Sequence, residues 1–259
     1  EGLVTREEFD AQKAELLAAS SSGVVSMPPG GVPGFDATAT GTLDLPPETI
    51  GAYRILGVVG EGGMGVVYRG RHRSEGFAQR QGGDVAVKVM HRQYAANPSF
   101  QDRFEREASL GLKLDHRGLV RVFDLVVDRG VLALVMEFVD GEPLSRIVGE
   151  QRGPIPTAEA LAVFRQIARA VGHAHDLGVI HRDLKPENVM IRADGSPSIL
   201  DFGIAKDMES KTTRTGTGMG TIDYMAPEQY TDAKNVGSSA DIYALGMTLY
   251  EMLAGRLPW

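Results

Sequence analysis

The chain has 259 residues, a net charge of −7 and an ordinary balance of apolar (42%) and charged (24%) residues, enough for one large domain or two lobes. The absence of cysteine excludes a disulfide framework, a thiolate nucleophile and cysteine-ligated zinc, and the negative charge disfavours non-specific binding to nucleic acid or anionic membrane. No apolar run reaches the length of a membrane span and no signal peptide is read at the start; the expectation is a cytoplasmic protein, and a first residue of Glu1 rather than Met points to a fragment.

Residues 1 to 19 contain "GLVTREEFDAQKAELLAA", which reads as a short helix. Thr5 and Glu8 are spaced as a capping box, and Phe9, Leu16 and Leu17 form a thin apolar stripe that a solvated helix would also show. Through Gly2, Leu3, Thr5, Glu7, Glu8, Phe9, Lys13, Leu16 and Leu17 the stretch resembles the second helix of the two-helix SHOCT motif, a resemblance that implies self-association. Residues 20 to 50 are expected as a flexible linker, because the run to Glu48 is rich in Ser, Gly, Pro and Thr and lacks a sustained period.

From Tyr53 the texture changes. "YRILGVVGEGGMGVVYRGRH" reads as two strands around a glycine turn, and "DVAVKVM" as a buried strand. Ser99 is expected to cap a helix over "SFQDRFEREASLGLKL", with Asp102 in the third position of a box. "VRVFDLVVDRGVLALVMEF" is a hairpin turning at Asp128, Arg129 and Gly130. "TAEALAVFRQIARAVGHAHDLG" is a long helix whose inner stripe is expected at Leu161, Phe164, Ala168, Val171 and His175. "DIYALGMTLYEMLAG" is apolar nearly all round, so it is placed in the middle of a core. Strands first and helices later imply a two-lobed α+β protein, with 51–139 as the first lobe and hinge and 140–259 as the second. A cleft between the lobes is the default site.

Gly60, Gly62 and Gly65 match G-x-G-x-x-G, a string that brings backbone amides close to phosphate oxygens. A dinucleotide fold and a plain glycine hairpin carry the same string. The strand "VVYRGRH" that follows argues against the former, whose fingerprint opens a helix. Lys88 lies in a buried strand and needs a partner unless it points to the surface. Phe100, Phe104 and Glu107 share one helix face, so Glu107 is expected inward beside Lys88, which leaves Lys88 poised over phosphate oxygens. "HRDLKPENVM", residues 181 to 190, packs polar and charged groups between apolar flanks, and Asp201 ends the short strand "SIL". Oxygen atoms of Asn188 and Asp201 suit Mg²⁺, and Asp183 is left to accept or orient a hydroxyl proton.

Taken in order, GEGGMGVV, VAVK, Glu107, HRDLKPEN, DFG, APE (Ala226 to Glu228) and "DIYALG" with Asp241 and Gly246 resemble a eukaryotic-type protein kinase of bacterial style over residues 53 to 259. The resemblance implies a two-lobed kinase fold and ATP and Mg²⁺ as ligands. It implies that the loop Gly60, Glu61, Gly62, Gly63, Met64 and Gly65 covers the triphosphate, and that Lys88 pairs with Glu107 and holds the α- and β-phosphates. It also implies that Asp183 is the base, that Lys185 steadies the γ-phosphate and that Asn188 and Asp201 bind the metals. Val59, Val67, Ala86, Met136 and Met190 would enclose the adenine, with Met136 as gatekeeper and the backbone of Glu137 and Val139 at the adenine edge.

Lys185 and Thr221 fit serine/threonine specificity rather than a tyrosine kinase. Among Thr212, Thr213, Thr215 and Thr217, the favoured autophosphorylation sites are Thr215 and Thr217, because Arg182 before Asp183 marks loops ordered by phosphothreonine; a plain polar loop is the alternative. Protein substrates are the implied partners, with Glu142 and Glu187 able to attract basic residues or simply to be solvated. A pseudokinase that binds ATP without transfer, and a small-molecule phosphotransferase of kinase-like fold, are the other readings. His173 and His175 face apart and are not a metal pair, while His116 resembles the family's packing histidine. The family's fold continues for roughly 50 residues past the central helix, so the second lobe is expected to be truncated, Glu228 to lack its arginine partner and Trp259 to be a core residue without its cover.

Overall fold

The structure, a computed structural model, describes residues 47–128, 130–149, 152–201, 222–231 and 236–259. The helix and SHOCT-like motif expected in 1–19, most of the expected linker, and Thr212, Thr213, Thr215, Thr217 and Thr221 lie outside the described residues.

Six strands form the first sheet: β1 (Thr49–Ile50), β2 (Tyr53–Gly62), β3 (Gly65–His72), β4 (Asp84–Met90), β5 (Val122–Asp128) and β6 (Val131–Glu137). Their order is β1-β2-β3-β4-β6-β5, with antiparallel neighbours. The sheet thus begins at Thr49, inside the stretch expected as linker. The β2–β3 hairpin turns at Gly63 and Met64, and the β5–β6 hairpin turns at Gly130, whose φ of 79° suits glycine. The register sets Lys88 between Val67 on β3 and Leu134 on β6, and Ala86 beside Met136. Gly65 is required by this packing, since a Cβ there would lie 1.9 Å from the Val89 carbonyl oxygen.

A short helix that the sequence did not announce, α1 (Glu75–Arg80), lies between β3 and β4; α2 (Arg92–Ala95) and α3 (Pro98–Gly111) follow β4. The cap of α3 is Asn97, whose side chain accepts from Phe100 N–H at 3.3 Å, and not Ser99. Pro98 decides this, because proline is favoured at the first helical position and moves the start two residues earlier than the serine would. Phe100 and Phe104 are buried and stacked, centroids 5.8 Å apart, so this face of α3 does meet the sheet.

The second lobe holds α4 (Leu144–Ile147), α5 (Thr157–Asp176), a 3-10 turn at Pro186–Asn188, a second 3-10 turn at Ile222–Tyr224, α6 (Pro227–Thr231) and α7 (Ser239–Ala254). It also carries a small antiparallel sheet of β7 (Gly141–Pro143), β8 (Val189–Arg192) and β9 (Pro197–Ile199). The buried stripe of α5 is Ala160, Val163, Ile167, Ala170, Val171 and Ala174, rotated one residue from the expected one. Of the residues expected inside, only Val171 is buried, because the small alanines allow close approach to α7 and β9 while the bulkier Leu161 and Phe164 flank the seam. Helix α7 buries Asp241, Ala244, Leu245, Met247, Thr248 and Met252. It is not buried all round in the structure as described: Ile242, Tyr250 and Leu253 are exposed. Gly255 ends it in the left-handed conformation (φ 70°), its N–H donating to Glu251 O at 2.8 Å. Trp259 is 47% exposed, and its indole N–H donates to Asp223 at 3.3 Å.

Candidate active site

The loop after α5 is built on one buried carboxylate. Asp241, 1% exposed on α7, accepts the backbone N–H of His181 at 2.7 Å, that of Arg182 at 2.8 Å and His175 Nε2 at 2.7 Å. A buried charge is tolerated only when such donors replace water. These contacts hold Arg182 at φ 62°, the left-handed region that non-glycine residues seldom occupy.

His181 is fully buried and bridges two segments. Its Nδ1 accepts from Asp183 N–H at 3.2 Å, so its proton lies on Nε2, which donates to Leu200 O at 2.8 Å. Burial pushes its pKa down despite the nearby Asp241, which keeps the ring neutral as these bonds require. Asn188 makes a second bridge. Its side-chain amide nitrogen donates to Asp183 O at 2.7 Å and to Asp183 Oδ2 at 3.3 Å, and its backbone carbonyl accepts from Leu200 N–H at 2.8 Å. Asp183 and the strand leading to Asp201 are thereby held to the same two residues.

Lys185 Nζ lies 3.6 Å from Asp183 Oδ2, and Lys88 Nζ lies 2.9 Å from Asp201 Oδ2. Desolvation works to raise the Asp201 pKa, but the Lys88 ammonium outweighs it, with help from Lys185, and holds the carboxyl below its ordinary range. The expected Lys88–Glu107 pair lies outside what is described, since the Glu107 side chain is not among the described groups; the described partner of Lys88 is Asp201.

Above this cluster, Ala86, Met136 and Val139 are buried in one apolar group, with Met64, Val67 and Met190 packed against it. Val59 is 52% exposed and stands outside that group. The N–H of Glu137 is taken by Arg121 O at 2.8 Å, so this donor is spent within the sheet. Nothing lies within 4 Å of a Cβ built on Gly60, Gly62 or Gly63. The fold itself therefore does not demand glycine there, whereas close approach of a ligand to the backbone would.

The donor chemistry fits a hard cation. With its amide nitrogen turned to Asp183, Asn188 keeps its side-chain oxygen on the opposite side of the amide, and Asp201 adds carboxylate oxygens. Two such protein donors are the number Mg²⁺ commonly takes, completing its shell with phosphate and water.

Three features were not apparent from the sequence. Arg192 on β8 donates to Glu137 at 2.8 Å and to Ser198 at 3.1 Å, tying the hinge to the second lobe. Tyr224 donates to Glu251, and burial followed by this bond raises the tyrosine pKa well above its usual range. Gln229 reaches the carbonyl of Arg182. Ser239 Oγ donates to Glu228 at 3.0 Å, a contact that the sequence did not announce and that leaves the expectation about an arginine partner untouched. His116 takes a packing position: its Nδ1 accepts from Gly118 N–H at 3.0 Å, and its ring stacks on His173 at 5.2 Å.

A strand-rich lobe with a glycine turn, a helical lobe presenting Asp183, Lys185, Asn188 and Asp201, and Lys88 between them define a fold and site of the protein kinase class. The chain belongs to the protein kinase domain family, whose model matches residues 53–259. It is similar to the serine/threonine-protein kinase pkn2 of Myxococcus xanthus, 40% identical over 225 residues that make up 83% of this chain and 26% of that protein. It is similar as well to the serine/threonine-protein kinase PrkC of Bacillus subtilis, 39% identical over 210 residues, 81% of this chain and 31% of that protein. The chain thus spans about a third or less of these curated relatives. Among solved structures it resembles the PknI kinase domain of Mycobacterium tuberculosis, with a TM-score of 0.65 and 30% identity over 82% of this chain and 77% of that one. It also resembles Rad53 1–466 in complex with AMP-PNP, with a TM-score of 0.62 and 29% identity over 80% of this chain and 50% of that one. No helix of the described residues is long and apolar enough to cross a membrane.

Proposed function

We propose that this chain transfers the γ-phosphate of Mg²⁺-bound ATP to serine and threonine hydroxyls of proteins. The observation that carries this reading is the placement of Asp183. Its backbone and carboxylate are held by Asn188 and His181, with the Lys185 ammonium 3.6 Å away. A carboxylate so held can orient a hydroxyl and take its proton as the new oxygen–phosphorus bond forms and the bond to the leaving diphosphate breaks. Lys185 and Lys88 supply positive charge where phosphate charge spreads, and the glycine turn offers backbone amides to the phosphates. Magnesium, when bound at Asn188 and Asp201, neutralises phosphate charge. The complex of the similar Rad53 with AMP-PNP supports ATP as the nucleotide. The apolar group around Ala86, Met136, Val139 and Met190 suits a flat base, whose polar edge the backbone of Val139 and the Glu137 carbonyl would meet.

Serine/threonine specificity rests on Lys185 and on the bacterial relatives. Bacterial signalling is the setting that those relatives suggest, and autophosphorylation is expected at Thr215 or Thr217. Incubation with Mg²⁺-ATP and a generic basic protein, read by mass spectrometry, should show phosphoserine or phosphothreonine and loop phosphorylation. Asp183→Asn should lower the rate about a hundredfold or more. Retained ATP binding without transfer to any protein would overturn the proposal.

A further inference from the structure

Gln229, the residue after the Ala226–Glu228 motif, has a side chain that serves two partners. Its Oε1 accepts from Ala226 N–H at 2.9 Å, and its Nε2 donates to the carbonyl of Arg182 at 3.1 Å. The first contact is half of a helix capping box. Ala226 stands at the cap of α6, Pro227 is the first helical residue, and Gln229 sits in the third position, its own N–H donating back to Ala226 O at 2.9 Å. Glutamate serves that role as well as glutamine does.

The second contact needs an N–H donor, which glutamine has and an ionised glutamate lacks. Its target matters. Arg182 is the left-handed residue whose N–H is held by Asp241 at 2.8 Å, and its carbonyl belongs to the peptide bond that enters Asp183. Asp241 therefore fixes one end of Arg182 and Gln229 the other. We infer that Gln229 is a positioning residue for phosphoryl transfer, donating to the Arg182 carbonyl so as to set the peptide plane that carries Asp183. The inference rests on the kinase reading above. It couples the segment around Ala226 to the catalytic loop through one side chain.

The test compares wild type, Gln229→Leu and Gln229→Glu in the full chain. The titratable groups lining the small cavity around Gln229 are Arg182, Asp183, Tyr224 and Asp241. A glutamate held against the Arg182 carbonyl, with Asp183 and Asp241 lining the same cavity, favours its neutral form, and the Arg182 guanidinium acts the other way. The neutral glutamate donates to the carbonyl and the ionised form does not. We expect kcat to fall about tenfold in Gln229→Leu, with KM for ATP unchanged. Gln229→Glu should show a similar loss at about pH 8, and its ratio to wild type should climb as pH falls and the carboxyl takes up a proton. Amide hydrogen exchange of the peptide spanning Arg182 and Asp183 should quicken in Gln229→Leu, and in Gln229→Glu at the higher pH. A Gln229→Glu protein indistinguishable from wild type in both readouts at every pH would reduce Gln229 to a helix cap and overturn the inference. Because glutamate keeps the cap, this variant decides the matter even where Gln229→Leu does not fold. If wild type transfers no phosphate, the kinase reading fails separately, and hydrogen exchange still decides for or against the positioning contact.

Discussion

The two walls of the cleft are built in opposite ways. In the glycine turn, Gly60, Gly62 and Gly63 have nothing within 4 Å of a built Cβ, and Val58 and Val59 are more than half exposed. In the catalytic loop, successive backbone groups are each claimed: His181 and Arg182 by Asp241, Asp183 by His181 and Asn188, the Arg182 carbonyl by Gln229. The wall that would meet phosphates keeps room to close on them. The wall that presents Asp183, the proposed base, is preorganised, which is where small displacements cost most rate.

The sharpest way to break this contrast is at Asp241. Asp241→Ala leaves two backbone N–H groups and His175 without their buried acceptor, and should cost about 3 kcal/mol or more of stability together with most of the activity. Urea unfolding with a parallel transfer assay checks it. Glycine substitutions come next. Gly65→Ala drives a Cβ into the Val89 carbonyl and should destabilise by about 1–3 kcal/mol. Gly62→Ala meets no atom and should stay within about 0.5 kcal/mol of wild type while raising KM for ATP. Equal melting losses for the two would remove the distinction between a glycine required by the sheet and one kept for a ligand.

A smaller effect is expected at the hinge. Arg192 and Glu137 are 25% and 28% exposed, so Arg192→Met should cost only about 0.5–1 kcal/mol, visible as a modest drop in melting temperature. Smallest is a pH effect at His116. Burial first, then the neighbouring His173, lowers its pKa in the fold, so the unfolded chain binds the proton more readily. The stability it contributes is complete above the unfolded histidine value of about 6.5 and is lost as pH falls below it toward the folded value. His116→Phe should flatten the decline in unfolding free energy over that range.

The residues proposed to meet the reaction stood out in the sequence because their chemistry is written in short strings: Asp183, Lys185 and Asn188 lie within one loop, and Lys88 within one strand. What joins them was not. Gln229 reaches Arg182 across 47 residues and His175 reaches Asp241 across 66, and no local period announces such contacts. The stripe of α5 was misplaced by one residue because the helix is apolar on adjoining faces, and only the tight fit of Ala160, Ala170 and Ala174 selects the seam. The cap of α3 moved to Asn97 because Pro98 sets the first turn more firmly than the hydroxyl of Ser99.

The contrast between the walls is tested most directly by steady-state kinetics on Gly62→Ala and Gln229→Leu side by side with wild type, varying ATP at saturating protein substrate. A split is expected, with KM for ATP rising in Gly62→Ala at nearly constant kcat, and kcat falling in Gln229→Leu at nearly constant KM. If both substitutions move the same constant, or if Gln229→Leu acts only on KM, the division of the cleft into a closing wall and a preorganised wall is contradicted.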